Sequence, residues 1–131
     1  MTRFVVDASA VLQLASMEIA VAPEHELLAP TLLRSQTLSA LHEAVQRGEI
    51  PVDVARDRLA RIGRIPIRLL GDAVLRRRAW DLATRLGWAS TYDAEYLALT
   101  QLQADAFITV NAELMRRIAG VVPTASIDAL G

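Results

Sequence analysis

Cysteine is absent from the 131 residues, which excludes a disulfide scaffold, a thiolate metal site and a cysteine nucleophile together and fits a reducing, cytoplasmic setting. Lysine is absent too: all 14 basic residues are Arg, whose planar guanidinium suits bidentate phosphate contact. No apolar stretch runs far enough without Arg, Asp or Glu to span a bilayer, so no membrane role is expected. The run Phe4-Val5-Val6 ahead of Asp7 is too short for the core of a signal peptide. There is no internal repeat, no low-complexity tract and no aromatic run of the kind that stacks on bases.

What is present is a 53% hydrophobic chain near the commonest domain size, so one domain over residues 1–131 is expected. Net charge is −1, but unevenly placed. From Arg47 to Arg85 there are ten Arg and five acids, a balance of +5; the flanks together carry −6. A basic middle between acidic flanks fits an anionic partner, and equally a solvated face.

Phe4-Val5-Val6 is apolar throughout, as a central strand buried on both faces requires. A short helix over Ala8–Ala15 follows, then a connection in which Leu27-Leu28-Ala29 forms a brief strand. Leu32, Leu33, Leu38, Leu41 and Val45 recur at helical spacing within Thr31–Arg47. Pro51 and Asp53 open a second helix, to about Ile62, which Gly63 and Pro66 stop, giving a helical hairpin. Ile67–Leu70 reads as a strand, Asp72–Leu86 as a helix ended by Gly87, and a further helix runs from about Asp93 to Gln103. Ala106–Val110 reads as a buried strand, Ala112–Ala119 as a helix, and Val121-Val122 as a short last strand. Strands alternating with helices predict a mostly parallel sheet covered on both faces, a three-layer α/β/α arrangement.

In such sheets function collects at the carboxyl ends of the strands. Asp7 follows the first strand, Asn111 follows the Ala106–Val110 strand, Asp93 opens the helix before it, and Gln36 lies on the first long helix. Each has an ordinary reading: Asp7 as a helix cap, Ser90 to Asp93 as a capping box. The case for a site rests on the set. His25 and His42 lack metal-ligand spacing and are placed on loop and helix surfaces; Trp80, Trp88, Met17 and Met115 are assigned to core or interface packing.

The segments Val5-Val6-Asp7-Ala8-Ser9-Ala10, Ala29-Pro30-Thr31-Leu32-Leu33-Arg34-Ser35-Gln36, Thr91-Tyr92-Asp93-Ala94-Glu95-Tyr96-Leu97-Ala98-Leu99 and Ala106-Phe107-Ile108-Thr109-Val110-Asn111 occur in the order and spacing of PIN domains. From end to end the chain resembles the VapC-type toxins of that family. The resemblance implies a PIN-like fold and a Mg²⁺-dependent endoribonuclease, with Mn²⁺ able to substitute. It also implies RNA as substrate, a small cognate antitoxin as inhibitor, and a homodimer.

Family members typically present Asp, Glu, Asp and Asp at the positions that map to Asp7, Gln36, Asp93 and Asn111. Two of the four charges are therefore missing here, and the formal charge of the cluster falls from about −4 to about −2. Asp7 and Asp93 are the expected metal ligands, with Ser9 and Thr109 as hydroxyls steadying the carboxylates. Gln36 and Asn111 can offer carbonyl oxygens but cannot take up a proton. Glu95 and Glu113 stand two residues past Asp93 and Asn111, off their helix faces, and Glu43 is about two turns from Gln36, so none replaces the lost acids.

Two functions follow: an attenuated ribonuclease toxin, or a catalytically inactive PIN-like module that binds antitoxin or RNA. A flavodoxin-like or receiver domain also places acids at strand ends, but this chain has no lysine to complete one.

Overall fold

The computed structural model describes residues 1–131. Four strands, β1 (Thr2–Val6), β2 (His25–Pro30), β3 (Ile67–Leu70) and β4 (Ala106–Ile108), form one all-parallel sheet in the order β3-β2-β1-β4. That order differs from the 2-1-3-4-5 of flavodoxin-like and receiver sheets. Phe4, Val5 and Val6 are buried because β1 is flanked on both sides, by β2 and β4, and covered above and below.

Five helices, α1 (Ala8–Met17), α2 (Leu32–Gln46), α3 (Val52–Arg64), α4 (Ala73–Leu86) and α5 (Tyr92–Gln103), connect the strands, and α6 (Ala112–Arg117) follows the last. On one face α5 lies across β1, β2 and β4, with α4 packed against it; α1, α2 and α3 pack together as the other layer. The expected three-layer α/β/α architecture is the one observed. A core of 27 buried residues runs through it, and Phe107, fully buried on β4, meets the Tyr96 ring of α5 at 6.2 Å between centroids. Phe107→Ala is expected to lower unfolding free energy by about 3–5 kcal/mol, read as a shift in urea midpoint at constant slope.

The structure corrects several expectations. Gly63 does not stop α3, which continues to Arg64; Pro66, which cannot supply a helical N–H, does. Val121 and Val122 form no strand: they close the turn after α6, with Val121 N–H donating to Ile118 O, and pairing with β4 occurs one step later. There Phe107 N–H donates to Pro123 O and Ala125 N–H to Phe107 O, leaving a single bridge at Thr124. The 3-10 turn Ile127–Leu130 has no counterpart in the pattern reading. Leu38 is 55% exposed, one position off the buried Leu33-Thr37-Leu41 stripe of α2. Met17 and Trp80 also lie at the surface rather than in the core. His25 sits on β2 rather than on a loop, edge-on to Phe4.

β4 also ends earlier than expected, at Ile108. Beyond it the backbone turns to side chains: Val110 N–H donates to Ser9 Oγ at 3.2 Å and Asn111 N–H to Thr109 Oγ1 at 3.1 Å. That departure shapes the region around Asp7.

Candidate metal and nucleic-acid site

Asp7 stands at the junction of β1 and α1, its extended backbone tied to β4 by Asp7 N–H donating to Ile108 O. Its carboxylate caps α1, as the sequence allows: Oδ1 accepts from Ala10 N–H at 2.9 Å and from the Ser9 hydroxyl at 2.7 Å. Oδ2 accepts from the Thr109 hydroxyl at 2.5 Å. Ser9 and Thr109 thus each spend their one proton on Asp7 while accepting a backbone N–H from the 109–111 segment, which fixes both hydroxyl orientations. The outcome is a carboxylate with Oδ1 filled and one lone pair of Oδ2 open.

Asp7 is 7% exposed and has no basic partner among the ion pairs of the chain. Burial pushes its pKa up; the hydrogen bonds from Thr109, Ala10 and Ser9 pull the other way, and the charge of Asp93 adds to the rise. A buried carboxylate without a counter-charge is a place a cation relieves.

Asp93 lies in the first turn of α5, where the helix dipole favours an acid. The Ser90–Asp93 capping box does not form. Ser90 Oγ accepts instead from Tyr92 N–H at 3.3 Å, and Asp93 Oδ2 is held at 3.1 Å by the Arg117 guanidinium of the α6 end. Arg117 in turn lies over the Trp88 ring, 4.7 Å from its centroid, a cation–π contact that keeps it facing Asp93.

Gln36, in the second turn of α2, accepts the Tyr96 hydroxyl on Oε1 at 2.6 Å. Tyr96 is otherwise buried, and burial, followed by the charges of Asp7, Glu95 and Asp93, raises its pKa beyond the ordinary phenol range. It therefore stays protonated as a donor. Asn111 caps α6, its Oδ1 accepting from Leu114 N–H at 3.1 Å. Both amide oxygens thus already have protein partners, and no cluster of three or more His, Asp or Glu surrounds the site.

Asp7 and Asp93 feel each other's charge; Gln36 is bonded only to Tyr96, on the helix that carries Asp93, and Asn111 is linked to Asp7 by its backbone bond to Thr109. The pattern reading missed Tyr96, Arg117 and Trp88. Tyr96 had a signal, being three residues past Asp93 on the same helical face; Arg117 had none, because it lies 24 residues away in sequence.

Solved structures share this arrangement of elements. PAE2754 from Pyrobaculum aerophilum superposes with a TM-score of 0.73 at 23% identity, over 98% of this chain and 92% of its own. VapBC-1 from nontypeable Haemophilus influenzae gives 0.64 at 12% identity, over 96% and 98%. The fold is PIN-like. No protein-family model matches the sequence, and no curated protein matches it significantly. In the PIN-like frame, Asp7 and Asp93 stand at the carboxyl edge of the sheet, where open parallel sheets gather their ligands.

The donor set fits one hydrated divalent ion rather than two. Asp7 offers one open lone pair, Asp93 offers the oxygen not held by Arg117, and Mg²⁺ commonly binds through one or two carboxylates with waters and substrate phosphates.

Proposed function

We propose that the chain is the nuclease of a toxin–antitoxin pair: a cytoplasmic endoribonuclease that uses Mg²⁺ or Mn²⁺, works slowly, forms a homodimer and is restrained by a small antitoxin. The observation that carries this is the Asp7 carboxylate, buried, without a counter-charge, locked by Ser9, Ala10 and Thr109 and open at one lone pair beside Asp93. The fold shared with VapBC-1 supports the pairing with an antitoxin.

A bound ion supplies Lewis acidity at a phosphodiester and lowers the pKa of attacking water. The residues of the chain do the rest. Asp7 and Asp93 hold the site's negative charge; Ser9 and Thr109 keep Asp7 from rotating; Tyr96 fixes Gln36. Arg117, bonded to Asp93 at 3.1 Å, has further guanidinium N–H groups with which to meet a phosphate brought to that carboxylate. Neither Gln36 nor Asn111 can take a proton from the nucleophile, which is the physical source of the slow rate.

The direct test is incubation of the purified chain with structured and single-stranded RNA in Mg²⁺, in Mn²⁺ and in chelator. Cleavage that needs the metal supports the reading; none under any condition sinks it.

A second reading, a binding module without cleavage, draws on one observation: Asp93 is already neutralised by Arg117. If that pair competes with metal, Arg117→Gln will tighten Mn²⁺ binding by up to about fivefold, the range of a half-exposed ion pair. An unchanged Mn²⁺ titration would show that Arg117 is no competitor. Expression arrest of a host, relieved by a small co-expressed protein, separates a toxin from a silent binder.

A further inference from the structure

A cleft of about 440 Å³ opens between α4 and the start of α5, lined by Arg76, Arg77, Trp80, Thr91 and Glu95 among others. Trp80 is 67% exposed, an unusual position for the largest side chain when no core contact requires it. Arg76 and Arg77 form no ion pair and donate no side-chain hydrogen bond, whereas the adjacent Arg78 reaches Gln101. Glu95 is the acid within the cleft. It stands there against two guanidinium groups, those of Arg76 and Arg77, so the cleft lining is net cationic.

The cleft is tied to the acidic pair by the tip of α5. Thr91 and Glu95 stand four residues apart on one face of that helix; Asp93, midway between them, faces the other side, towards Arg117. Tyr92, 58% exposed, occupies the tip between the two sides.

We infer that this cleft is a binding site for single-stranded RNA, in which Trp80 stacks on a base and Arg77, with Arg76, holds the adjoining phosphates, so that the strand crosses the α5 tip at Tyr92 towards Asp7 and Asp93. An indole face is open to any base, but only where the base is unpaired, which selects single strands over duplex. Guanidinium groups without protein partners give the phosphate contact its charge and geometry. A second copy of the chain is a poorer occupant: Arg76 and Arg77 flank Trp80 in the cleft, and two copies meeting there would set these cations against each other. The inference rests on the proposed nuclease reading only for the strand's destination; binding in the cleft does not require cleavage.

The test measures anisotropy of a labelled single-stranded oligoribonucleotide of about ten nucleotides titrated with the whole chain in chelator, where no metal-dependent cutting occurs. Trp80→Ala should weaken binding about tenfold, and Arg76→Gln with Arg77→Gln should flatten the log–log salt dependence by about 1.4. Indole emission should quench on RNA addition in Trp88→Phe, which retains Trp80, and not in Trp80→Phe. All three substituted side chains of the cleft are exposed, so the fold is not at stake. Unchanged affinity and salt slope in both cleft variants would overturn the inference, as would a Trp80→Ala variant that only converts dimer to monomer. Normal RNA binding with no cleavage in Mg²⁺ would instead remove the nuclease reading and leave the cleft standing.

Discussion

RNA cleavage is expected to fall at least about a hundredfold in Asp7→Asn, beyond the ten- to hundredfold that loss of an outer partner of a metal ligand costs, while the metal-free protein becomes more stable at neutral pH. The substitution is nearly isosteric. The introduced amide oxygen keeps the bonds from Ala10 N–H and the Ser9 hydroxyl, and the NH₂ donates to Thr109 Oγ1, whose proton turns away. What is lost is the negative charge that a cation would meet.

The stability effect has a definite sign. Burial raises the Asp7 pKa above its ordinary 3.8, so between the two values the folded state holds more proton than the unfolded one, and stability falls as pH rises through that window. Above the folded-state pKa the cost is present in full. The advantage of Asp7→Asn in chelator is therefore largest near neutrality and shrinks as pH falls through that pKa, disappearing below 3.8. Mn²⁺ should reverse the ranking, because an ion that binds only the folded wild type stabilises it by mass action. Urea midpoints for both proteins, with and without Mn²⁺, check this; a variant less stable than wild type in chelator at pH 7 would show that the hydrogen bonds to Asp7 outweigh its burial.

The second large effect is a gain. Gln36→Glu combined with Asn111→Asp should raise Mn²⁺ affinity at least about a hundredfold, since one carboxylate about 4 Å from a divalent ion gains about 2 kcal/mol even at the dielectric of water. Neither change disturbs its surroundings. A carboxylate in place of the Gln36 amide would accept the Tyr96 hydroxyl in a charge-assisted bond, and one in place of the Asn111 amide would cap α6 equally well. In chelator the same variant should lose stability, because four carboxylates would share one corner without a cation. Calorimetric titration with Mn²⁺ and thermal melts in chelator read both halves. Affinity unchanged from wild type would mean that positions 36 and 111 do not face the ion.

Much of this was legible in the chain because local pattern and tertiary demand agreed. The buried run Phe4-Val5-Val6 could only be a central strand, and Ile67–Leu70 and α4 fell where the punctuation by Pro66, Asp72 and Gly87 placed them. The edges were less legible. β4 stops at Ile108 because Ser9 and Thr109, far apart in sequence, take over the next backbone N–H groups, and no window of sequence contains that exchange. In the candidate site, Asp7 was readable from its place after a strand, and the structure bonds the Ser9 and Thr109 hydroxyls to its carboxylate. Arg117 and Trp88 were not readable, since the contacts of Arg117 with Asp93 and with the Trp88 ring exist only once the end of α6 lies against the start of α5. Trp80 was assigned to core or interface packing because no aromatic run accompanies it, and its exposure follows from the α4 face it occupies.

The measurement that bears most directly on a two-carboxylate metal site is the Mn²⁺ stoichiometry of the metal-stripped chain, read by electron paramagnetic resonance beside Asp7→Asn and Asp93→Asn. One weakly held ion per chain, lost in either variant, is the predicted result; no bound ion at millimolar Mn²⁺, or binding indifferent to Asp7→Asn, would contradict it.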